Sequence, residues 1–237
     1  MTLIFLTIIC ILLAYLLGSI PTGYLIAKAH GVDIQKIGSG NIGATNVLRS
    51  VGRIPALIVV ILDPLKGALA VLIAQWSQLS IWGVALTGLA AILGNNFNVF
   101  LRFRGGKGIA TSLGMFAPID PLTTLAAALI GIFTIFLGRY VSLGSLVGIF
   151  AAILLHLKGQ YHIATLLLVC IVFALAMFQH RSNLQRLAAG TERRLGQKSV
   201  ASSQTTPDTS ISVPKLGKDF DNPGPASLDA QTEAKDS

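Results

Sequence analysis

The chain carries two short polar stretches whose residue types suit anion chemistry. The first is GSGNIGATNVLR, residues 38–49, with three glycines, two asparagines, a serine, a threonine and one arginine. Gly38, Gly40 and Gly43 can take positive φ and turn backbone N–H groups inward, and successive N–H groups of that kind form anion-binding nests. Ser39, Asn41, Thr45 and Asn46 add side-chain donors, and Arg49 adds a planar cation suited to phosphate. Alone, the stretch reads equally well as a flexible connector with helix-capping residues. The second stretch is RFRGGKG, residues 102–108, in which Gly105, Gly106 and Gly108 surround Lys107 ahead of IATSLG. It reads as a phosphate cradle at a helix N-terminus, where the dipole favours anions, or more plainly as a basic loop at a membrane edge. The GxxxxGK[ST] spacing of a P-loop is absent.

Three further groups bear on chemistry. Asp63 and Lys66 lie three residues apart inside an apolar run, so they share a helical face and can neutralise each other. An intramembrane ionisable pair also marks a functional site by default. Arg139 immediately precedes YVSLGS, which contains Ser142, and HRSNLQRLAAGTERR at 180–194 puts His180 and Asn183 one helical turn apart. There is no HxxxxD, GxSxG or HExxH motif, and six of the ten acids lie beyond residue 199. Hydrolytic acid–base work and a metal site are therefore not expected. Lys, Arg, Gly, Ser, Asn and one His make a site for phosphate groups, and two Gly-rich basic loops suggest two of them.

These residues must be positioned by apolar elements. The 237-residue chain is 53% hydrophobic and only 12% charged, against roughly 25% charged in soluble domains. Residues 2–27, 67–101, 108–119, 121–138, 140–157 and 159–180 contain no Asp, Glu, Lys or Arg. Since a bilayer core takes roughly 20 apolar residues per helix, the fold class is an all-α polytopic membrane protein. Seven transmembrane helices are expected, at about 3–27, 54–76, 80–98, 108–119, 121–138, 142–157 and 161–180. The fourth is short and should be half-embedded or tilted, and Gly18 and Pro21 should kink the first. Trp76 and Trp82 flank a turn as an interfacial belt would. With seven spans, twelve Lys and Arg fall on one side and only Lys158 on the other. The positive-inside rule then gives an outside N-terminus, a cytoplasmic C-terminus and polar motifs on one cytoplasmic face.

The first cation is Lys28, after the first apolar run, which fits a retained helix rather than a signal peptide. The net charge of +8 is explained by this topology, so nucleic acid is not expected as a partner. Cys10 and Cys170 lie inside apolar runs and read as buried small fillers. Residues 1–198 form the membrane domain. From 199 to 237 the composition shifts to Ser, Thr, Pro, Asp and Gln, a disordered polar tail.

In this order and frame, GSIPTGYLIAK, GSGNIGATNVLR, DPLKG, GGKGIATSLG, RYVSLGS and HRSNLQRLAAGTERR resemble the acyl-phosphate-dependent glycerol-3-phosphate acyltransferase family over about residues 10–195. The resemblance implies an enzyme of the bacterial inner membrane. It would move an acyl chain from acyl phosphate to the 1-hydroxyl of glycerol 3-phosphate, giving lysophosphatidic acid and phosphate with no cofactor and no metal. Carried over, Ser39, Asn41 and Thr45, beside Gly38, Gly40 and Gly43, hold the donor's phosphate. Arg49 and Lys107 neutralise the phosphates, and Gly105, Gly106 and Gly108 shape the glycerol 3-phosphate pocket. Ser142, His180 and Asn183 line that pocket, while Asp63, Lys66 and Glu192 are structural. Ser39, Arg49, Lys107 and His180 are the catalytic candidates. The sequence departs from the family at Asn95, where His is usual, and at Asn98, where Pro is usual; Asn95 cannot take up a proton. The competing readings are a transporter for a phosphorylated solute, which would show internal repeats that are absent here, and a non-catalytic paralogue that binds lipid phosphates. Chain-length preference and oligomeric state are left open.

Overall fold

The computed structural model describes residues 1–159 and 161–197; the segment read as a disordered tail lies outside them. The described residues form helices joined by loops, with no strand among them. The chain runs through α1 (Thr2–Gly18), α2 (Thr22–Ala29), α3 (Ala44–Ser50), α4 (Arg53–Trp76) and α5 (Ile81–Asn96). A 3-10 turn at Val99–Leu101 follows, then α6 (Ile109–Phe116), α7 (Pro121–Gly138), α8 (Val141–Lys158), α9 (Ile163–Gln179) and α10 (Arg181–Ala188).

Five segments are long and apolar enough to cross a membrane: Thr2–Ala29, Arg53–Trp76, Ile81–Leu101, Pro121–Gly138 and Val141–Lys158. A sixth is α9 taken with α10, which bend by 62° at their junction. Large apolar side chains point outward, Phe136 at 80%, Leu122 at 78% and Trp76 at 75% exposed. That inversion is what a lipid solvent demands, since lipid tails are as apolar as Leu. Cys170 is exposed as well and only Cys10 is buried. The reading of Cys170 as a buried filler is thus corrected: an apolar run cannot say which of its faces meets lipid.

The first span breaks where expected. Pro21 has no N–H to continue the ladder, so α1 ends at Gly18 and α2 restarts at Thr22. Helix pairs close through small residues that let backbones touch. A Cβ on Gly18 would lie 2.0 Å from the Ala91 carbonyl oxygen, and one on Gly94 would lie 2.1 Å from that of Tyr15, so α1 and α5 are in backbone contact. The same holds for α4 and α6, where a Cβ on Gly114 would sit 1.8 Å from the Pro64 carbonyl oxygen.

The short α6 has eight residues, about 12 Å of helix. It starts beside Asn96 and Ile92, which a Cβ on Gly108 would strike. At its other end the Pro118 carbonyl accepts from Gln75, in the last turn of α4, at 3.1 Å. The loop before α6 folds back along α5, so a short helix suffices to return the chain to the far end of the bundle. Inside α4, Pro64 takes the place of a backbone donor one residue after Asp63. Lys66 Nζ lies 3.0 Å from Asp63, and the Thr22 hydroxyl donates to the same carboxylate. Lys66 also donates to Asn95 Oδ1 at 2.7 Å and to the Ile20 carbonyl at 3.2 Å. The expected ion pair is present, both members buried, and it ties α4 to the α1–α2 break and to the end of α5.

Candidate active site

The loop from Asp33 to Gly43 is knotted around one side chain. Asn46, buried on α3, accepts from the Ser39 N–H at 3.1 Å and donates to the carbonyls of Asn41, Ile37 and Ile34 at 2.9, 3.0 and 3.3 Å. Its amide has two N–H donors and one acceptor oxygen, so the donors are shared among the three carbonyls while the oxygen takes the Ser39 N–H. Asn41 Oδ1 in turn accepts from the Gly43 N–H at 2.8 Å. Gly38 and Gly40 take the expected positive φ, 66° and 69°. Gly43 does not. At φ −73° it is the extended N-cap of α3, and Asn41 supplies the turn that a positive φ would have made.

The second loop is pinned from below by α5. The Gly106 N–H donates to the Asn95 carbonyl at 2.9 Å and the Gly105 N–H to that of Asn96 at 3.2 Å. A Cβ on Gly105 would lie 2.0 Å from the Asn95 carbonyl oxygen, so this glycine is required by close approach. Gly108, at φ 77°, is the N-cap of α6. Asn95 therefore holds the lysine loop through its backbone, while its side chain answers Lys66.

A third piece closes the site from the C-terminal end. Lys107 Nζ donates to Asn183 Oδ1 at 2.5 Å, and Asn183 Nδ2 donates to Glu192 Oε1 at 2.6 Å. The Ser142 hydroxyl donates to the same oxygen at 2.8 Å, and Arg186 Nε donates to Glu192 Oε2 at 2.8 Å. Arg49 reaches the carbonyls of Arg193 and Arg194 at 3.3 and 3.2 Å. His180, 2% exposed, is held at the α9–α10 bend with Nδ1 2.8 Å from the Ala176 carbonyl.

These pieces open on one cavity of about 480 Å³. Gly38, Ser39, Asn41, Gly43, Thr45, Arg49, Asp63, Gly106, Lys107, Gly108, Ser142, His180, Asn183 and Glu192 all line it. Of the residues expected there, Gly40, Gly105 and Lys66 do not line it. Gly40 shapes the turn and Gly105 the backbone contact, and Lys66 is spent on Asp63 and Asn95. The polar mouth continues into an apolar groove between α6, α7 and α8, walled by Ala127, Gly131, Ile135, Gly144, Gly148 and Ala152.

The mouth is strongly cationic. Arg49, Lys107, Arg186 and Arg193 line it against Glu192 and Asp63. Burial pushes the Lys107 ammonium down to about 8; the Glu192 charge opposes this, while Arg186 and Arg49 add to it. Burial, then the neighbouring Arg193, also lowers Arg49 below its ordinary value. For Glu192, burial favours the neutral acid, but hydrogen bonds from Asn183, Ser142 and Arg186 outweigh it and hold the carboxyl below the usual range. Cations whose charge is strained in this way gain most from an anion. Among the described residues no three His, Cys, Asp or Glu gather at one point.

Arg186 and Arg193 were not singled out from the sequence. The signal was present for Arg186, which follows Asn183 at helical spacing, but four arginines in one short stretch look alike until α10 bends. Asn46 was counted among the donors of the first loop, and its position as the clasp of that loop is visible only in three dimensions.

The family model described as glycerol-3-phosphate acyltransferase matches residues 8–190. A glycerol-3-phosphate acyltransferase of Thermus thermophilus is 51% identical over 194 residues, 81% of this chain and 96% of that protein. One of Geotalea daltonii is 53% identical over 190 residues, 78% of this chain and 95% of that protein. Among solved structures, the glycerol 3-phosphate form of PlsY (YgiH), an integral membrane glycerol 3-phosphate acyltransferase, superposes with TM-score 0.77 at 41% identity. That match covers 80% of this chain and 96% of the other. The lysophosphatidic acid form gives TM-score 0.75 at 40% identity, over 79% and 94% of the two chains.

Proposed function

The chain belongs to the glycerol-3-phosphate acyltransferase family, and on that premise we propose that it transfers an acyl chain from acyl phosphate to the 1-hydroxyl of glycerol 3-phosphate. The protein is a multi-pass membrane acyltransferase of phospholipid synthesis. The observation that carries the choice of donor is the shape of the cavity, in which a mouth of cations and loop N–H groups is continuous with an apolar groove. A donor that is itself half phosphate and half hydrocarbon fills both parts without needing a nucleotide or a carrier.

In this reading Gly38, Ser39, Asn41, Gly43 and Thr45 receive the donor's phosphate, with Arg49 as counter-charge. Lys107, Ser142, His180 and Asn183, with Gly106 and Gly108, receive glycerol 3-phosphate. The 1-hydroxyl oxygen attacks the acyl carbonyl carbon, a new carbon–oxygen ester bond forms, and the bond from that carbon to the bridging phosphate oxygen breaks. The hydroxyl proton leaves with the released phosphate, so no side-chain base and no acyl-enzyme are required. Because acyl phosphate is already activated, positioning and charge stabilisation carry the rate. Asn95 suits this scheme, since the position supports the lysine loop and needs no proton transfer.

The seven-span topology, outside N-terminus and cytoplasmic site belong to the same proposal, in the inner membrane of a bacterium. It is supported by the contacts that bring α6 back to the Gln75 end of α4, which lets the eight-residue helix complete a crossing. A transporter has less support, because the phosphate-binding candidates gather at one end of the bundle. The test is to supply purified protein with acyl phosphate and labelled glycerol 3-phosphate and follow lysophosphatidic acid by mass. Product from the wild type and its loss in Lys107→Ala support the assignment; equal behaviour of the two proteins removes Lys107 from it.

A further inference from the structure

The apolar groove ends on polar atoms. Fourteen residues beyond Ser142 on α8, roughly 21 Å at 1.5 Å per residue, His156 lines the far end of the cavity together with Thr123 and Thr124. His156 is 3% and Asp120 8% exposed. His156 Nδ1 lies 2.8 Å from the Ala152 carbonyl, and its ring lies 4.4 Å from that of Tyr161, whose hydroxyl is 3.0 Å from that of Thr123. His156 Nε2 faces Asp120 Oδ2 at 3.6 Å, beyond hydrogen-bonding distance, and neither atom has a hydrogen-bond partner among the described residues. Asp120 uses its other oxygen to cap α7, accepting from the Thr123 N–H at 3.1 Å.

A buried polar pair whose two facing atoms both lack a hydrogen bond is costly and asks for a reason. An apolar plug would close a lipid-walled groove at lower cost. We propose that His156, backed by Asp120 and flanked by Thr124, is the floor of the acyl groove and sets the longest acyl chain that the enzyme accepts. The inference rests on the acyl-phosphate reading of the cavity. A chain whose last methyl stops short of His156 is enclosed by Ala127, Gly131, Gly148 and Ala152. A longer one must press on an imidazole that Tyr161 and the Ala152 carbonyl hold in place. Half of a ~30 Å hydrocarbon core is ~15 Å, so a groove of roughly 21 Å is long enough for one chain of the length a leaflet holds.

The experiment is a length profile. The full-length wild type, His156→Ala and Thr124→Leu are each supplied with a graded series of saturated acyl phosphates, and kcat/KM is taken for every donor along with KM for glycerol 3-phosphate. His156→Ala deepens the groove, and the ratio for donors two methylenes longer than the wild-type optimum rises about tenfold or more. Thr124→Leu raises the floor and lowers the same ratio by a similar factor. KM for glycerol 3-phosphate stays unchanged in both. A wild-type profile in both active variants overturns the proposal. Should His156→Ala not fold, Thr124→Leu decides alone, and its unchanged profile has the same force. Wild type inactive on every acyl phosphate is a different failure, that of the functional reading, and it takes the floor down with it.

Discussion

Lys107 is where charge, burial and the proposed acceptor site meet. Its ammonium titrates near 8 against an ordinary 10.5, so the folded protein gives up this proton before the unfolded chain does. Between those values the unfolded state binds more protons, and stability rises with pH across the window. The phosphate capture proposed for Lys107 runs the other way, because the charged form is lost above about pH 8. We expect kcat/KM for glycerol 3-phosphate to fall about tenfold per unit above that pH, and Lys107→Arg, which stays charged, to flatten the fall; a slope shared by both proteins would assign the titration elsewhere. Lys107→Ala should lose roughly 10²–10³-fold in kcat/KM, measured as initial rate. Glu192 holds Ser142, Asn183 and Arg186 at once. Glu192→Ala should lower stability by about 3 kcal/mol, as a charged hydrogen-bond hub does, read from thermal unfolding in detergent. At this scale the grouping was legible from the sequence, since Gly38, Ser39, Arg49 and Lys107 of the two loops do line one cavity. Partners were not, because Asn46 and Asn95 look like ligands until the backbone carbonyls they hold are known.

Among the elements, α6 decides whether the lysine loop is placed correctly. Its contact with α4 runs through Gly67 and Gly114, where added Cβ atoms would meet the Thr111 and Pro64 carbonyl oxygens at 2.2 and 1.8 Å. Gly114→Ala should push α6 outward and shift Gly108, costing about 1–3 kcal/mol of stability by overpacking together with most of the activity. Retention of full activity in a stable Gly114→Ala protein would show that the lysine loop does not depend on this packing. The long helices α5, α7 and α8 were legible from charge-free runs, α4 from an apolar run interrupted only by the Asp63–Lys66 pair, and the α1–α2 break from Gly18 and Pro21. The return of the 97–108 loop along α5 was not, since it is made by backbone hydrogen bonds that carry no side-chain signature. The 62° bend between α9 and α10 was hidden for a similar reason, because His180 and Arg181 do not announce a break as Pro would.

For the whole molecule, the outward-facing Phe, Leu and Trp side chains were foreseeable from composition, while which face of each helix meets lipid was not, as Cys170 illustrates. The sidedness proposed from the basic residues predicts that a cysteine placed at Lys36, 83% exposed at its side chain, is labelled by a membrane-impermeant thiol reagent only from the cytoplasmic side. One placed at Lys158 should be labelled only from the other side, and the reverse pattern would invert the topology. The central claim is that one cavity accepts a phosphate-bearing acyl donor and a phosphate-bearing acceptor. Its most direct measurement gives the purified protein equal concentrations of acyl phosphate, acyl-CoA and acyl-carrier protein in separate reactions with glycerol 3-phosphate. Lysophosphatidic acid and inorganic phosphate should form in equal amounts from acyl phosphate, with the other two donors inert. Product from acyl-CoA or acyl-carrier protein at a comparable rate, or none from acyl phosphate, would contradict the account.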